Sequence, residues 1–189
     1  MKYLSIVILV LLFLNISFYS SGQYCYKSFN HQIDSSVISQ KIISLDSSCS
    51  NSELNKILTC VALSFIDTPY KSGTLETNTS ESLIINASEL DCLTLVENSI
   101  AITKTISSGN LSFENFKNQL KKLRYRNGII NGYASRIHYF SEWLSENEKN
   151  NIFEICSKKI GGIPYDVTVN FMSSHPQFYK QLKDDSLLT

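Results

Sequence analysis

The stretch Glu89-Leu90-Asp91-Cys92-Leu93-Thr94-Leu95-Val96-Glu97 organises the interpretation of the chain, because it puts a cysteine at the start of a predicted helix. Apolar residues then recur at roughly helical spacing: Leu93, Val96, Ile100 and Ile106. Asp91 is one candidate N-cap, and Ser88 is the other. Either register brings the Cys92 thiol near the positive end of the helix dipole, which favours the nucleophilic thiolate. The alternative is that Cys92 is an inert, buried, small apolar residue.

Residues 1–22 have the pattern of a secretory signal peptide. Lys2 supplies a positive start, an uncharged apolar run follows, and Ser20 and Gly22 are the small residues of a cleavage site before Gln23. An uncleaved membrane anchor is the alternative. We therefore predict a single domain over residues 23–189, exported to the periplasm or the extracellular space, with no integral membrane segment after cleavage.

Charge and cysteine content limit the classes of ligand and the kinds of site that the chain can have. The chain has 17 basic and 17 acidic residues, so no basic excess exists to bind nucleic acid. Five cysteines in an exported chain permit disulfides but leave at least one thiol free, and Cys92 is the candidate. Cys25 with Cys49 or Cys60 is a candidate bridge. No CxxC motif or zinc-like His/Cys spacing occurs, so we predict neither a metal site nor a cofactor.

Periodicity predicts a mainly helical chain with a few short strands. Helices are expected over 30–43, over 50–65 with Ser50 or Ser52 as the cap, from the cysteine stretch onward, over 111–126 with Ser112 as the cap, and through Trp143. Strands are expected at 83–85 and 165–171. These patterns fit one domain without repeats or linkers.

His138 is the histidine of greatest functional interest. It lies two residues after Arg136 and directly before Tyr139, and such a cluster can line a polar pocket. A cysteine nucleophile needs a histidine base that is near in space rather than in sequence. His31 is expected at the surface, and His175 next to Pro176 is expected to be structural. His138 is thus the candidate base by elimination, with a structural histidine as the alternative.

Four blocks in this order resemble the N-acetylmuramoyl-L-alanine amidase-like family of NlpC-type, papain-like cysteine hydrolases. They are TPYKSGTLE at 68–76, LDCLTLVE at 90–97, RYRNG at 124–128 running on to SRIHY at 135–139, and FMSSHPQFY at 171–179. The resemblance implies that Cys92 is the nucleophile and attacks an amide of a peptidoglycan stem through an acyl-enzyme. It also implies that Asp91, Arg136, His138 and Tyr139 surround the cleft.

The resemblance further implies an α+β, papain-like fold, of which this chain carries mostly the helical half with few strands. In the family, a C-terminal β-rich half supplies the general-base histidine, whereas no histidine follows His175 here. We therefore expect a C-terminally truncated member with weak or no activity. Two alternatives remain: a non-catalytic derivative that binds cell-wall peptide or a partner, and an unrelated secreted domain held by disulfides.

Overall fold

The computed structural model describes residues 31–49, 52–164 and 167–183, so the predicted signal peptide and Cys25 lie outside the described residues. Six α-helices are described: α1 His31–Cys49, α2 Leu54–Leu63, α3 Cys92–Ser107, α4 Phe113–Arg124, α5 Phe140–Lys149 and α6 Phe171–Ser174. Short 3-10 helices cover Arg126–Gly128, Tyr133–Ser135, Pro176–Phe178 and Lys180–Lys183. None of the described helices combines the length and the apolar character needed to cross a bilayer.

The predicted α+β, papain-like fold is wrong for the part of the chain that is described. Its β-structure is limited to two isolated bridges, a parallel one between Tyr70 and Leu90 and an antiparallel one between Tyr125 and Arg136. These bridges close loops and do not extend into strands. The described chain is therefore helical, and the sheet that a papain-like fold requires is not found among its residues.

Neither predicted strand is found among the described residues. The apolar run 83–85 has no strand, although Ile84 and Ile85 are buried. The carbonyl of Ile84 accepts a 2.5 Å hydrogen bond from the Arg124 guanidinium instead of joining a ladder. Residues 167–170 of the second run also have no strand. Alternation in a short apolar run does not distinguish a strand from a buried loop.

α3 is the central helix, and it packs against α1, α2 and α4. Because neighbours surround it, α3 buries polar as well as apolar residues: Thr94, Glu97, Asn98, Ser99, Thr103 and Thr105. Thr103 Oγ1 donates to the Ser99 carbonyl at 2.8 Å and Asn98 Nδ2 donates to the Asn86 carbonyl at 2.9 Å, whereas Ser99 Oγ has no hydrogen-bond partner. The core around α3 includes Ile38, Ile42, Ile57, Val61, Ala101, Ile102, Phe116, Leu120, Leu123 and Trp143.

The observed N-caps can be compared with the caps that the sequence predicted. The predicted cap of α3 by Asp91 is confirmed, and the Ser88 alternative is excluded. The predicted cap of α4 by Ser112 is also confirmed, since its side chain accepts from the backbone amide of Asn115. By contrast, α2 starts after Glu53, which makes no side-chain capping hydrogen bond, so the cap predicted for that helix is wrong.

The loop that leads into α3 is held at both of its ends. Near Pro69, the amide of Leu90 donates to the Pro69 carbonyl at 3.0 Å, and the amide of Lys71 donates to the Leu90 carbonyl at 3.0 Å. Farther along, the buried Asp34 carboxylate of α1 accepts from the Ala87 amide at 3.1 Å and from the Ser88 hydroxyl at 3.0 Å. These bonds fix the approach of the chain to Cys92.

Candidate active site

Cys92 is the first residue of α3, and its free thiol is exposed. The helix start is held by a reciprocal capping box: Asp91 Oδ1 accepts from the Thr94 amide at 2.8 Å, and Thr94 Oγ1 accepts from the Asp91 amide at 2.9 Å. Thr94 Oγ1 also donates to Asp91 Oδ1 at 2.7 Å. Asp91 is therefore committed to the cap, and it holds Cys92 at the amide-rich end of the helix.

A cavity of about 190 Å³ lies beside the start of α3 and is lined by Asp91 and Leu93, the two neighbours of Cys92. Its remaining lining combines charged and apolar residues: Gly73, Leu75, Glu76, Glu97, Arg124, Arg136, Ile137, His138, Met172 and Tyr179. Three residues predicted for the cleft, Asp91, Arg136 and His138, thus meet at one cavity. The described lining does not include Cys92 itself, so its pairing with His138 stays a prediction.

Tyr139 lines a second cavity, of about 260 Å³, together with Arg126, Tyr133 and Glu142. His138 lines both cavities, as does Met172. The Tyr139 hydroxyl accepts from the Met172 amide at 2.8 Å, which ties α6 to the start of α5. The His138 segment therefore separates two adjoining spaces that together resemble a small-ligand site in size.

The His138 imidazole is packed and partly buried. Its Nε2 lies 2.9 Å from the Tyr133 carbonyl, which can only accept, so Nε2 carries the proton and Nδ1 is the basic nitrogen. The ring also lies against the Tyr133 ring, with centroids 4.2 Å apart. Burial lowers the pKa of His138 to about 4, and the nearby Arg136 charge acts in the same direction. His138 is thus neutral at pH 7 and a weak base in this structure.

The lowered pKa of His138 predicts a specific pH dependence of stability. The unfolded chain binds a proton near pH 6.5 and the folded chain only near pH 4, so stability is full above pH 6.5 and falls as the pH drops through this window. We expect His138 to account for a loss of about 2 kcal/mol in the free energy of unfolding between pH 7.5 and pH 5. Urea unfolding at the two pH values measures it.

The matched control for this prediction is His175, a partly buried histidine that lines neither cavity. His138→Gln should remove most of the pH-dependent loss between pH 7.5 and pH 5, whatever its effect on stability at pH 7.5. His175→Gln should retain the wild-type loss. An unchanged pH dependence in His138→Gln would contradict the assignment of this titration to His138.

The Arg136 side chain is buried, and two carboxylates bind its guanidinium group. Its Nη2 donates to Glu76 Oε1 at 2.7 Å, and its Nε lies 3.2 Å from Glu81 Oε1. The guanidinium carbon lies 4.9 Å from the centroid of the Tyr133 ring, and Tyr133 Oη donates to Glu76 Oε2 at 3.1 Å. Arg136 therefore holds the loop of Glu76 and Glu81 against the His138 segment and lines the cavity in doing so.

A buried ion pair that sequence reasoning missed lies at the base of the same cavity. Arg124 Nε donates to Glu97 Oε2 at 2.8 Å, and both side chains are almost fully buried, at 2% and 1% exposure. Burial raises the pKa of Glu97, and the Arg124 charge opposes that rise. Glu97 ends the sequence block 90–97 and Arg124 begins the block 124–128. Their opposite charges were the only feature of the sequence that could have indicated an ion pair. The pair fixes α3 to the end of α4, directly behind the cavity.

Among the described residues, no group of three or more His, Cys, Asp and Glu side chains is placed to hold a metal ion. The site offers a thiol, a neutral imidazole, backbone amides at a helix start and paired charges. These groups are suited to nucleophilic attack on a carbonyl and to binding a polar ligand.

Comparisons with known proteins show the family. The family model for AmiA-like, N-acetylmuramoyl-L-alanine amidase-like proteins matches residues 60–188, and the chain belongs to this family. The match supports the predicted amidase-like family. It does not extend to the NlpC-type, papain-like subtype that was also predicted. No relative is found among curated proteins.

Solved structures agree with this assignment. An N-acetylmuramoyl-L-alanine amidase from Bacteroides uniformis ATCC 8492 is 36% identical, with a TM-score of 0.64 over 69% of this chain and 55% of its own. A putative xylanase from Bacteroides fragilis is 35% identical, with a TM-score of 0.63 over 68% of this chain and 56% of its own. The chain thus spans a little over half the length of the solved chains that it matches.

Proposed function

We propose that this protein hydrolyses an amide bond of peptidoglycan, with Cys92 as the nucleophile. The observation that carries the proposal is the exposed Cys92 thiol at the first position of α3, fixed by the Asp91 capping box beside a polar cavity. Membership of the N-acetylmuramoyl-L-alanine amidase-like family supports the substrate class. A cell-wall substrate in turn favours export to the periplasm or beyond, as the N-terminal sequence pattern predicts.

The proposed reaction has two steps. Cys92 Sγ attacks the amide carbonyl carbon, and collapse of the tetrahedral intermediate breaks the C–N bond, with the amine leaving after it gains a proton. Water then attacks the thioester, which releases a carboxylate and returns the thiol. His138 Nδ1 is the proposed proton carrier, since this nitrogen is unprotonated in the neutral ring. The first amides of α3 have no intrahelical acceptor and are suited to stabilising the oxyanion.

The proposed substrate is a peptidoglycan stem peptide held in the two adjoining cavities. Asp91 and Arg136 line the smaller cavity, and Tyr139 lines the larger one. Arg136 and Glu76 present a paired positive and negative charge at the cavity wall. Such a wall fits a peptide that carries both carboxylates and amines better than it fits a neutral chain.

A second candidate function is binding of cell-wall peptide without hydrolysis. The observation that favours it is the state of His138, whose low pKa makes it a weak base at neutral pH. In this case the cavities would hold the stem peptide and Cys92 would not react. The cavity lining is the same in both proposals, so only a test of chemistry separates them.

One experiment distinguishes the two. The purified chain is incubated with insoluble peptidoglycan; the soluble products are analysed by mass spectrometry, and bound protein is measured by sedimentation. Release of fragments with one new amine and one new carboxylate supports hydrolysis, and their masses identify the bond. Saturable sedimentation without release, from a sample that is helical by circular dichroism, supports the binding protein. A helical sample that neither binds nor releases fragments would overturn both proposals.

A further inference from the structure

We propose that Cys49 and Cys60 form an intramolecular disulfide bond when the protein meets an oxidising environment, joining the end of α1 to the middle of α2. Both cysteines are free thiols in the structure and both are partly buried. The proposal does not depend on the amidase activity, because neither residue lines the described cavities.

The first support is the pairing of the two helices, which run in opposite directions. Lys41 Nζ of α1 donates to the carbonyl of Ser64, just after α2, at 2.5 Å, and to Ser64 Oγ at 3.3 Å. At the other end of the pair, the amide of Ser52 donates to the Cys49 carbonyl at 3.0 Å and turns the chain back toward α2. The end of α1 therefore faces the body of α2.

The second support is direct contact between the two thiols. The Cys60 side chain, together with burial, raises the pKa of the Cys49 thiol, so the two thiols are close enough to interact. Cys49 also packs against the hydrophobic core, as does Leu45 one turn earlier on α1, so the Cys49 side chain lies on the inward side of α1. Two thiols that interact across a pair of antiparallel helices are placed to form a disulfide bond.

The chemistry balances with a small disulfide as the oxidant. One protein thiolate attacks a sulfur of the oxidant, which forms a mixed disulfide and releases one thiol. The second protein thiolate attacks the protein sulfur of that mixed disulfide and releases the other half of the oxidant as a second thiol. Two protein thiols and one oxidant disulfide thus become one protein disulfide and two small thiols, and the two protons go to the released thiolates.

Mass spectrometry tests the connectivity. The reduced full-length chain is equilibrated with oxidised and reduced glutathione, blocked with N-ethylmaleimide and digested with trypsin without reduction. Each of the five cysteines falls in a tryptic peptide of its own, with Cys49 in 42–56 and Cys60 in 57–71. The expected product is peptide 42–56 linked to 57–71, lighter by two hydrogens than the sum of the two. Linkage of either cysteine to Cys25, or full alkylation of both, would overturn the proposal.

Thermal unfolding supplies a second readout with matched variants. Closing this short loop should raise the Tm of the oxidised protein by roughly 5–10 °C over the reduced protein. Cys49→Ser and Cys60→Ser should each abolish the difference between oxidised and reduced samples. Cys156→Ser, which removes an exposed thiol, should retain it. An equal Tm for oxidised and reduced wild type would also count against the bond.

Discussion

Replacing Cys92 with alanine should abolish peptidoglycan hydrolysis, with a loss of about 10³-fold or more, because the covalent step has no other nucleophile at this position. The thiol is exposed at the first position of α3, so its removal leaves no core cavity. We therefore expect the variant to unfold at the same urea concentration as the wild type. Fragment release measured by mass spectrometry, at equal protein concentration, gives the ratio of rates.

The matched control is Cys156→Ala, since Cys156 is also an exposed free thiol. That variant should release fragments at the wild-type rate. The two thiols can also be compared within one molecule: iodoacetamide should label Cys92 faster than Cys156, because Cys92 lies at the amide-rich start of a helix. Equal hydrolysis by Cys92→Ala and wild type would refute the nucleophile assignment, and slower labelling of Cys92 would refute its activation.

Replacing Arg124 with alanine should lower the free energy of unfolding by about 3–5 kcal/mol, because it leaves a buried carboxylate without its counter-charge. Glu97 is only 1% exposed, and Arg124 also donates to the Ile84 carbonyl. The loss therefore includes a second unsatisfied acceptor. Urea unfolding followed by circular dichroism at pH 7 measures it.

Lys117→Ala is the control on the same helix. Lys117 forms a more exposed ion pair with Glu114 at 2.5 Å, and its removal should cost about 0–1 kcal/mol. A double replacement, Glu97→Met with Arg124→Met, should recover much of the stability, because it removes both charges and keeps most of the volume. Equal losses for Arg124→Ala and Lys117→Ala would show that the buried pair does not stabilise the fold.

The sequence was sufficient to predict local structure where one or two side chains determine the backbone conformation. Asp91 and Ser112 were predicted as caps, and each accepts a hydrogen bond from the third amide of its helix. The helical period of apolar residues in α4 also matches its packing, with Phe116, Leu120 and Leu123 fully buried. Capping and periodicity act over a few residues, so they can be read without knowledge of the tertiary fold.

Periodicity failed in part for α3, although its cap was predicted, because tertiary packing overrides periodicity in a central helix. Val96 was assigned to the apolar face, yet it is 41% exposed, whereas the adjacent Glu97 is 1% exposed. Three helices surround α3, and on its buried side Glu97 is paired with Arg124 while Thr103 and Thr105 donate to backbone carbonyls. A charged residue in the core can be recognised only together with its partner, which here lies 27 residues away.

The candidate site was predictable in part. Asp91, Arg136 and His138 were grouped by resemblance, and the structure brings them to one cavity. The carboxylates that engage Arg136 lie 55 and 60 residues before it in a polar loop, and no local pattern joins them. The roles of Cys92, as nucleophile, and of His138, as base, remain predictions.

The bond between Asp34 and the chain just before Cys92 has a consequence for where the folding unit begins. The family match starts at residue 60, whereas Asp34 and the buried Ile38 and Ile42 lie upstream of it. A fragment cut at the family boundary would lose the acceptor that orders Ala87, together with the core side chains of Ile38, Ile42 and Ile57. The cooperative unit is therefore larger than the family-defining segment, and a helix outside that segment helps to position the proposed nucleophile.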